Sequence, residues 1–286
     1  MPELPEVQAL AGFLRERCVG QRIVRAEVAA LSALKTFDPP LESMVGQVVL
    51  DVTRVGKYLE LRAGDVWLVM HLARGGWVQW RDTVPPARAR PGKGPLALRV
   101  GLSGGSGFDV TEQGTEKRLA LWVLSDPPEM EGIARLGPDP LDADFTPQLL
   151  AGILQASSGH LKTVLTDQSA VAGVGNAYSD EALHAARLSP YKPANRLSED
   201  ETTRLHEALV RVLSDAVARS SGLAASGLKS EKKSGLAVHG RTGQPCPVCG
   251  DLIREVSLAS RSFQYCPSCQ TGGKPLADRR LSRLLK

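Results

Sequence analysis

Hydrophobic residues near the N-terminus recur with the spacing of a helix. Val7, Leu10 and Leu14 fall on one helical face. They lie within the segment Leu4–Cys18, and Gly20 follows it as a stop signal. The pattern therefore predicts a first helix over Leu4–Cys18.

The period then changes from helical to alternating, which is typical of strands that are buried on one face. Glycine-rich turns separate the alternating segments, and Pro85–Pro95 is predicted to be a loop. The predicted strands are Arg22–Val28, Val45–Val52, Tyr58–Arg62, Val66–His71, Trp77–Trp80, Leu96–Leu102 and Leu119–Leu124. Many short strands with such turns favour a β-sandwich or a barrel.

The second half of the chain changes back to helical spacing. Ser198 and Glu201 form a capping-box pattern at the start of the longest predicted helix. A polar stretch over 226–234 is predicted to be a loop, and the basic segment 277–286 a short helix. The remaining predicted helices are Pro147–Ala156, Leu161–Asp167, Ala177–Ala186 and Ser198–Ser220.

These patterns predict an α+β protein in which a β-rich domain precedes a helical domain. The boundary is a stretch rich in Pro, Gly and Asp over 132–146. The predicted segments are an N-terminal domain (1–131), a linker (132–146), a helical domain (147–236), a cysteine-rich finger (237–273) and a basic extension (274–286).

The cysteines predict a metal site. Cys246-x-x-Cys249 and Cys266-x-x-Cys269 are separated by sixteen residues, the spacing of a four-cysteine zinc site on a β-hairpin. Four thiolates leave no open position for water, so this zinc would be structural and not catalytic. A redox pair is the alternative. Cys18 stands apart and is interpreted as a small buried residue.

Composition excludes some classes of protein and suggests a partner. No apolar run is long enough for a transmembrane helix, and the N-terminus lacks the pattern of a signal peptide. The chain has a net charge of +4, but residues 229–286 hold eleven Lys or Arg against four Asp or Glu. A basic end on a near-neutral body indicates a polyanion such as nucleic acid, with a solvated basic tail as the alternative.

Pro2 is the most distinctive residue for chemistry. Removal of Met1 would leave a secondary amine at the N-terminus, and α-amino groups have a pKa of about 8. Such an amine can attack an aldehyde-like carbon to form an iminium, which makes elimination easy. Glu3 follows at once and could donate and accept the protons. Glu6, one turn on, is explained by the helix dipole.

A glycine-rich turn offers a second candidate site. Gly173 and Gly175 precede Asn176 at the start of a predicted helix. Such a turn can present backbone N–H groups to an anion, although it also suits a tight connection between helices.

The N-terminus PELPEV, the stretch GVGNAYSDE and the four-cysteine finger, in this order, resemble the formamidopyrimidine-DNA glycosylase / endonuclease VIII family. The resemblance implies a bifunctional base-excision repair enzyme: a DNA glycosylase that also cleaves abasic sites by β- and δ-elimination. The implied fold is a β-sandwich with an N-terminal helix, a helix-two-turn-helix domain and a zinc β-hairpin. The implied cofactor is one structural zinc ion, with no organic cofactor.

The resemblance also implies roles for individual residues. Pro2 would be the nucleophile on C1′ and Glu3 the general acid and base, with Lys57 and Arg261 binding phosphates close to the chemistry. The expected catalytic group is therefore Pro2, Glu3, Lys57 and Arg261. The expected DNA-binding group is His71, Arg74, Lys162, Asn176, Tyr178 and Arg261, and the expected zinc ligands are Cys246, Cys249, Cys266 and Cys269.

Two departures from the family pattern bear on the substrate. Arg74 stands where the purine-acting members carry a methionine that fills the space of the extruded base. The segment 112–118 (EQGTEKR) has no aromatic residue to wedge the duplex and no equivalent of the loop that pairs with the orphan cytosine. An endonuclease VIII-like preference for oxidised pyrimidines and abasic sites is therefore expected.

Two alternatives remain open from the sequence. One is a preference for 8-oxoguanine and formamidopyrimidine, and the other is a non-catalytic protein that binds damaged DNA on the same scaffold. A zinc-ribbon protein of transcription or the ribosome is disfavoured by the large β-rich domain. The expected partner is damaged double-stranded DNA, with single-stranded DNA as a further possibility. The expected setting is a monomer in the bacterial cytoplasm, associated with the nucleoid and not with a membrane.

Overall fold

The computed structural model describes residues 1–92, 94–258 and 261–277. The four basic residues predicted for the C-terminal extension, Arg279, Arg280, Arg283 and Lys286, lie outside the described residues, as does most of the short helix predicted there. The chain forms two compact units. The first comprises Met1–Arg135 with Ser220–Lys229, and the second comprises Leu136–Arg219 with the described residues from Ser230 onward.

The first unit is a β-sandwich with a helix, α1 (Leu4–Cys18), packed on one of its sheets. The two antiparallel sheets have the strand orders β1-β6-β7-β5 and β2-β3-β4-β8, and α1 packs on β2 and β3. The strands are β1 (Ile23–Val28), β2 (Val49–Val55), β3 (Tyr58–Ala63), β4 (Val66–His71), β5 (Gly76–Arg81), β6 (Leu96–Leu102), β7 (Gly107–Glu112) and β8 (Ala120–Leu124), and a short helix, α2 (Glu131–Ala134), follows them.

The predicted helix Leu4–Cys18 agrees with α1 at both ends, whereas strand β7 was not predicted. The reason is a charged residue inside the sandwich: Asp109 on β7 is 1% exposed. Arg99 Nε donates to Asp109 Oδ1 at 2.7 Å, and Arg81 Nε donates to Oδ2 at 2.9 Å. Burial raises the pKa of Asp109, but these hydrogen bonds outweigh it and hold the pKa below its usual value. A buried ion pair therefore hides the alternating pattern of this strand.

The rest of the chain is mainly helical and ends in a β-hairpin. The helices and strands along it are α3 (Pro147–Gln155), α4 (Leu161–Thr166), α5 (Asn176–Ala185), α6 (Glu199–Ser220), α7 (Leu228–Gly235), β9 (Arg254–Leu258), β10 (Arg261–Tyr265) and α8 (Pro267–Thr271). The antiparallel pair β9–β10 lies between the two cysteine pairs. Among these described helices, none has the length and apolar character needed to cross a membrane.

The loop predicted over 226–234 is wrong, because Leu228–Gly235 forms helix α7. Ala225 and Leu228 are buried in the core of the first unit and anchor the start of this segment. Trp77 Nε1 donates to the carbonyl oxygen of Ala225 at 2.8 Å, and the ammonium of Lys229 lies 4.6 Å from the Trp77 ring centroid. Two small apolar anchors thus order a stretch that its lysines and serines made look like a loop.

Candidate functional site

The N-terminal residues enter the fold as a buried pair behind an exposed methionine. Met1 is 49% exposed, whereas Pro2 and Glu3 are both buried. Glu3 is the N-cap of α1 and forms a capping box with Glu6. The backbone N–H of Glu3 donates to Glu6 Oε2 at 2.8 Å. The peptide that follows Pro2 is therefore held in place, while about half of the Met1 surface is exposed.

Two contacts between α1 and β2 show where Pro2 and Glu3 lie. Arg15 bonds Asp51 at 2.8 Å, and Gln8 accepts a hydrogen bond from Arg54 Nε at 2.9 Å. Seven helical residues and three strand residues both span about 10 Å, so the helix runs back along the strand. Its N-terminal end therefore points to the turn between β2 and β3. Pro2 and Glu3 lie at that end of the sheet.

Lys57, to which the family resemblance assigns a phosphate contact near the lesion, belongs to the same turn. Its side chain is buried, and Gly56 before it adopts a φ of 56°, which suits glycine in a two-residue turn. Tyr58 follows and pairs across the sheet with His71, and their rings are 5.1 Å apart. Burial lowers the pKa of His71, and the charge of Lys57 lowers it further. Both effects favour the neutral form of the His71 ring.

Arg74 occupies a tight turn immediately after β4. Ala73 has a φ of 47°, and a Cβ on Gly76 would lie 2.1 Å from the carbonyl oxygen of Leu72. A Cβ on Gly75 would likewise lie 2.2 Å from a backbone oxygen, so the two glycines are required by close backbone approach. The turn presents Arg74 as an exposed side chain just beyond His71. Five of the expected site residues, Pro2, Glu3, Lys57, His71 and Arg74, thus belong to one end of this sheet.

The segment 112–118 forms a closed loop between β7 and β8. Glu112 is 4% exposed, and its Oε1 accepts the backbone N–H groups of Arg118 at 2.7 Å and Leu119 at 2.9 Å. Lys117 Nζ donates to the carbonyl oxygen of Glu112. The other six residues of the segment, 113–118, are exposed and include no aromatic side chain. The loop therefore offers no wedge for a base stack.

In the second unit, the glycine-rich turn before α5 is fixed by one side chain. Gln168 Nε2 donates to the carbonyl oxygen of Val174 at 2.8 Å, and its Oε1 accepts the backbone N–H of Gly173 at 3.0 Å. Gly173 has a φ of 80°, and Gly175 is the N-cap of α5. Gln168 thus holds the turn in place, and the positive end of the α5 dipole lies at Asn176.

Asn176 connects this helix start to the finger. Its Nδ2 donates to the carbonyl oxygen of Ser262 at 2.6 Å, one residue beyond Arg261 on β10. The backbone of Arg261 pairs with Leu258, the last residue of β9, at the end of the hairpin where the two strands connect. Asn176 therefore positions the strand that carries Arg261. Tyr178 as a whole residue is 1% exposed in this structure, and its contact with DNA stays a prediction.

Lys162 lies in a buried network and not on the surface. Its Nζ donates to the carbonyl oxygen of Asn176 and to Ser179 Oγ, both at 2.7 Å, and to Asp180 Oδ1 at 2.5 Å. Asp180 is fully buried, and its Oδ2 accepts from His239 Nδ1 at 2.7 Å. Lys162 thus braces the start of α5, and a direct phosphate contact by it stays a prediction.

Sequence reasoning did not single out Asp180, Glu181 or His239. Glu181 accepts three backbone N–H groups, from Ala237 at 2.7 Å, Val238 at 2.9 Å and His239 at 2.8 Å. Together with Asp180, Glu181 holds residues 237–239, which form neither helix nor strand, against α5. The only sequence signal was two adjacent carboxylates in a helix with a buried face, which is too common to identify such a network.

The four predicted zinc ligands come together. The sulfur atoms of Cys246 and Cys269 are 3.9 Å apart, and those of Cys249 and Cys266 are 3.4 Å apart. Thiolates around a tetrahedral zinc ion lie about 3.8 Å apart, given Zn–S bonds of about 2.3 Å, so the donor set fits the metal. Cys18 is fully buried elsewhere, and burial raises its pKa to about 12, as expected for a core residue.

The two turns that supply these cysteines are joined to each other. Asp251 follows the first cysteine pair, and Ser268 lies between the two cysteines of the second. Asp251 Oδ2 accepts a hydrogen bond from Ser268 Oγ at 2.8 Å. Cys246 and Cys266 belong to a small buried cluster with Val238 and Ile253, and the hairpin strands add a second small cluster of Val256, Phe263 and Tyr265. So small a core cannot hold the fold alone, and a metal ion would supply the remaining stability.

Three family models match successive parts of the chain. The formamidopyrimidine-DNA glycosylase N-terminal domain matches residues 1–112, and the formamidopyrimidine-DNA glycosylase H2TH domain matches residues 136–226. The zinc finger found in FPG and IleRS matches residues 243–272.

Individual proteins match over most of the chain as well. A formamidopyrimidine-DNA glycosylase of Symbiobacterium thermophilum is 37% identical over 278 residues, which is 94% of this chain and 89% of the relative. An uncharacterized formamidopyrimidine-DNA glycosylase-like protein of Mycobacterium tuberculosis is 63% identical over 151 residues, 53% of this chain and 94% of that protein. The Lactococcus lactis Fpg in complex with DNA containing an abasic site superposes with a TM-score of 0.83 and 28% identity, covering 94% and 99% of the two chains.

Proposed function

Because the chain belongs to the formamidopyrimidine-DNA glycosylase family, we propose that it excises oxidised bases from DNA and cleaves the abasic site through Pro2. As a family member it is a DNA glycosylase of base excision repair with a structural zinc finger. The proposal concerns the nucleophile, the course of the reaction and the preferred lesion.

The reaction begins at C1′ of a nucleotide that has been flipped out of the base stack. Flipping the nucleotide costs about a few kcal/mol of free energy. The Pro2 nitrogen attacks C1′, the bond from C1′ to the damaged base breaks, and the base leaves with the proton that the Pro2 nitrogen releases. Glu3 gives a proton to the sugar ring oxygen as the ring opens to the iminium, and the Glu3 carboxylate can then accept the C2′ proton. The iminium takes up the electrons of the C2′–H bond, so the 3′ phosphate leaves by β-elimination, and loss of a second proton, from C4′, lets the 5′ phosphate leave by δ-elimination. The reaction needs Pro2 as a free amine, so Met1 must be removed.

The observation that carries this proposal is the end of the sheet at which α1 starts. Pro2 and Glu3 are adjacent there, and the Gln8–Arg54 contact places them toward the turn that holds Lys57. An amine, a carboxyl group and a cation near one another are what iminium chemistry at a phosphate-flanked sugar requires. A protein that only binds DNA has no need for this combination.

Binding of DNA would use cations and backbone groups of both units. In the first unit the proposed DNA contacts are Arg74 and Lys57. In the second unit they are Asn176, Lys162 and Arg261. Phosphate contacts of this kind orient the duplex without reading its sequence. They also help to hold DNA bent, which offsets part of the cost of flipping a nucleotide.

The closed loop over 112–118 and the exposed Arg74 support a preference for oxidised pyrimidines and abasic sites. The loop is folded on Glu112 and has no aromatic wedge. A charged guanidinium cannot fill an apolar stack as a methionine does. The names of the relatives favour the alternative, a preference for formamidopyrimidine and 8-oxoguanine.

A panel of duplexes distinguishes these outcomes. With Met1 confirmed absent, we expect strand cleavage at an abasic site and at 5-hydroxyuracil to be faster than at 8-oxoguanine opposite cytosine. The measurement is single-turnover cleavage on denaturing gels for each lesion. Faster cleavage at 8-oxoguanine would support the purine alternative. Tight binding with no cleavage of any duplex would support a protein that only binds damage.

Arg74→Ala is expected to weaken binding to a duplex with an abasic-site analogue by about 5- to 150-fold, since one such contact contributes about 1–3 kcal/mol. Arg74→Lys separates two explanations. If the guanidinium plane stacks on bases, lysine will not restore affinity, whereas if it binds phosphate, lysine will largely restore it. Dissociation constants across a salt series provide the measurement.

The salt series gives a second readout for the same residue. Loss of a phosphate contact should lower the salt slope by about one counterion, whereas loss of stacking should leave the slope unchanged. Gln79→Ala, an exposed position on β5, is the matched control. Arg74→Ala with wild-type affinity at every salt concentration would remove Arg74 from the DNA-binding group.

A further inference from the structure

A histidine from outside the finger reaches the cysteine cluster. His184 lies in the last turn of α5 and is 6% exposed. Its Nε2 is 3.3 Å from the sulfur of Cys246. One ligand atom each from His184, Cys246, Cys266 and Cys269 all lie within 4.8 Å of one another. The cluster therefore holds five donors, whereas a structural zinc ion binds four.

Among the four cysteines of the cluster, Cys249 differs in its exposure. Cys249 is exposed, while Cys246 and Cys266 are buried and Cys269 is partly buried. Cys249 is therefore the thiolate most accessible to reagents in solution. The three other cysteines and His184 make a second complete donor set, and zinc accepts three thiolates with one imidazole as readily as four thiolates.

The position of His184 suits both a hydrogen bond and direct ligation. Around a tetrahedral zinc ion, a nitrogen and a sulfur ligand lie about 3.6 Å apart, given bonds of about 2.1 and 2.3 Å. The observed separation of 3.3 Å is close to that value. His184 can thus donate Nε2–H to the Cys246 thiolate, or coordinate through the Nε2 lone pair with its proton on Nδ1, after only a small movement.

We propose that His184 is a reserve ligand of the zinc centre: it hydrogen-bonds Cys246 while four thiolates bind the ion, and it replaces Cys249 when that thiolate is blocked. In the exchange one thiolate leaves and one neutral imidazole enters, so the charge of the centre changes from −2 to −1. The exchange keeps zinc, and with it the hairpin that carries Arg261. The proposal concerns metal binding and does not depend on the glycosylase activity.

Variants of the full chain test the proposal by zinc content, measured by native mass spectrometry. Cys249→Ala should retain about one zinc ion per chain, whereas Cys246→Ala should lose it, because Cys246 belongs to both donor sets and the set that includes His184 does not include Cys249. His184→Gln keeps a donor near the Nε2 position but is a poor zinc ligand, so alone it should retain zinc. Cys249→Ala combined with His184→Gln should lose zinc. Loss of zinc from Cys249→Ala to the same extent as from Cys246→Ala would overturn the proposal.

Cobalt substitution and alkylation add readouts that do not depend on the folding of one variant. In Cys249→Ala, the thiolate-to-cobalt charge-transfer absorption should fall by about a quarter, as expected when three of four thiolates remain. Iodoacetamide alkylates the exposed Cys249 in proteins that keep all their cysteines. After this alkylation, zinc should pass to a chromophoric chelator at least tenfold faster from the His184→Gln variant than from the wild-type protein. Equal release rates would also overturn the proposal.

Discussion

Glu3→Gln should lower the rate of base excision by about 100-fold or more, the contribution expected of a general acid and base. Glu3 is buried at the start of α1, directly after Pro2. Glutamine preserves the size of the side chain and its ability to accept a hydrogen bond, but it cannot give a proton to the sugar oxygen. The loss should therefore appear in the single-turnover rate and not in affinity for lesion DNA.

Glu6→Gln is the matched control for this prediction. Glu6 is also buried, lies one turn away and accepts the N–H of Glu3 at 2.8 Å, a bond that a glutamine oxygen can keep. Its excision rate should remain within a few-fold of wild type. If Glu3→Gln excises at the wild-type rate, the assigned role of Glu3 is wrong. Equal losses in both variants would mean that the two glutamates act only by shaping the helix start.

Cys266→Ser should abolish zinc binding and weaken DNA binding by about 100-fold or more. Structural zinc contributes about 10–16 kcal/mol to the folding of isolated finger peptides, and here it joins turns that share only a small apolar cluster. Cys266 follows directly on β10, so loss of the ion would disorder the strand that carries Arg261 and accepts the Asn176 hydrogen bond. Zinc content and dissociation constants for lesion DNA are the measurements.

Cys18→Ala controls for the removal of a buried cysteine. Cys18 is fully buried but lies on α1, outside the cysteine cluster. This variant should lose some stability through the cavity it creates, yet retain one zinc ion and wild-type affinity for DNA. If Cys266→Ser loses zinc but binds DNA as tightly as wild type, the finger is not part of the DNA-binding surface.

The sequence predicted those parts of the fold in which one residue pattern decides the structure. Helix α1 follows from the spacing of Val7, Leu10 and Leu14, and most strands follow from alternation. Strand β7 was missed because Asp109 is buried against arginines that are distant in the sequence. Helix α7 was missed because Ala225 is anchored by Trp77 and Leu228 is buried in the core of the first unit, contacts that no local pattern reveals.

The candidate site divides in the same way. The zinc ligands were predictable because two cysteine pairs at this spacing form one site on one hairpin. The roles of Lys162, Asp180 and His184 were not predictable, because each depends on partners that only the folded chain brings near. His184 and Cys246 are 62 residues apart, yet their ligand atoms are in contact. Chemistry carried by contiguous motifs can therefore be inferred from the sequence, whereas buried networks require the structure.

Reductive trapping tests the central claim that Pro2 is the nucleophile. The protein, with Met1 confirmed absent by mass, is mixed with a duplex containing an abasic site and reduced with borohydride, and the adduct is located by peptide mapping. We expect one covalent adduct on Pro2 and none in the fraction of protein that retains Met1. An adduct on a lysine such as Lys57, or no adduct despite tight binding to the duplex, would contradict it.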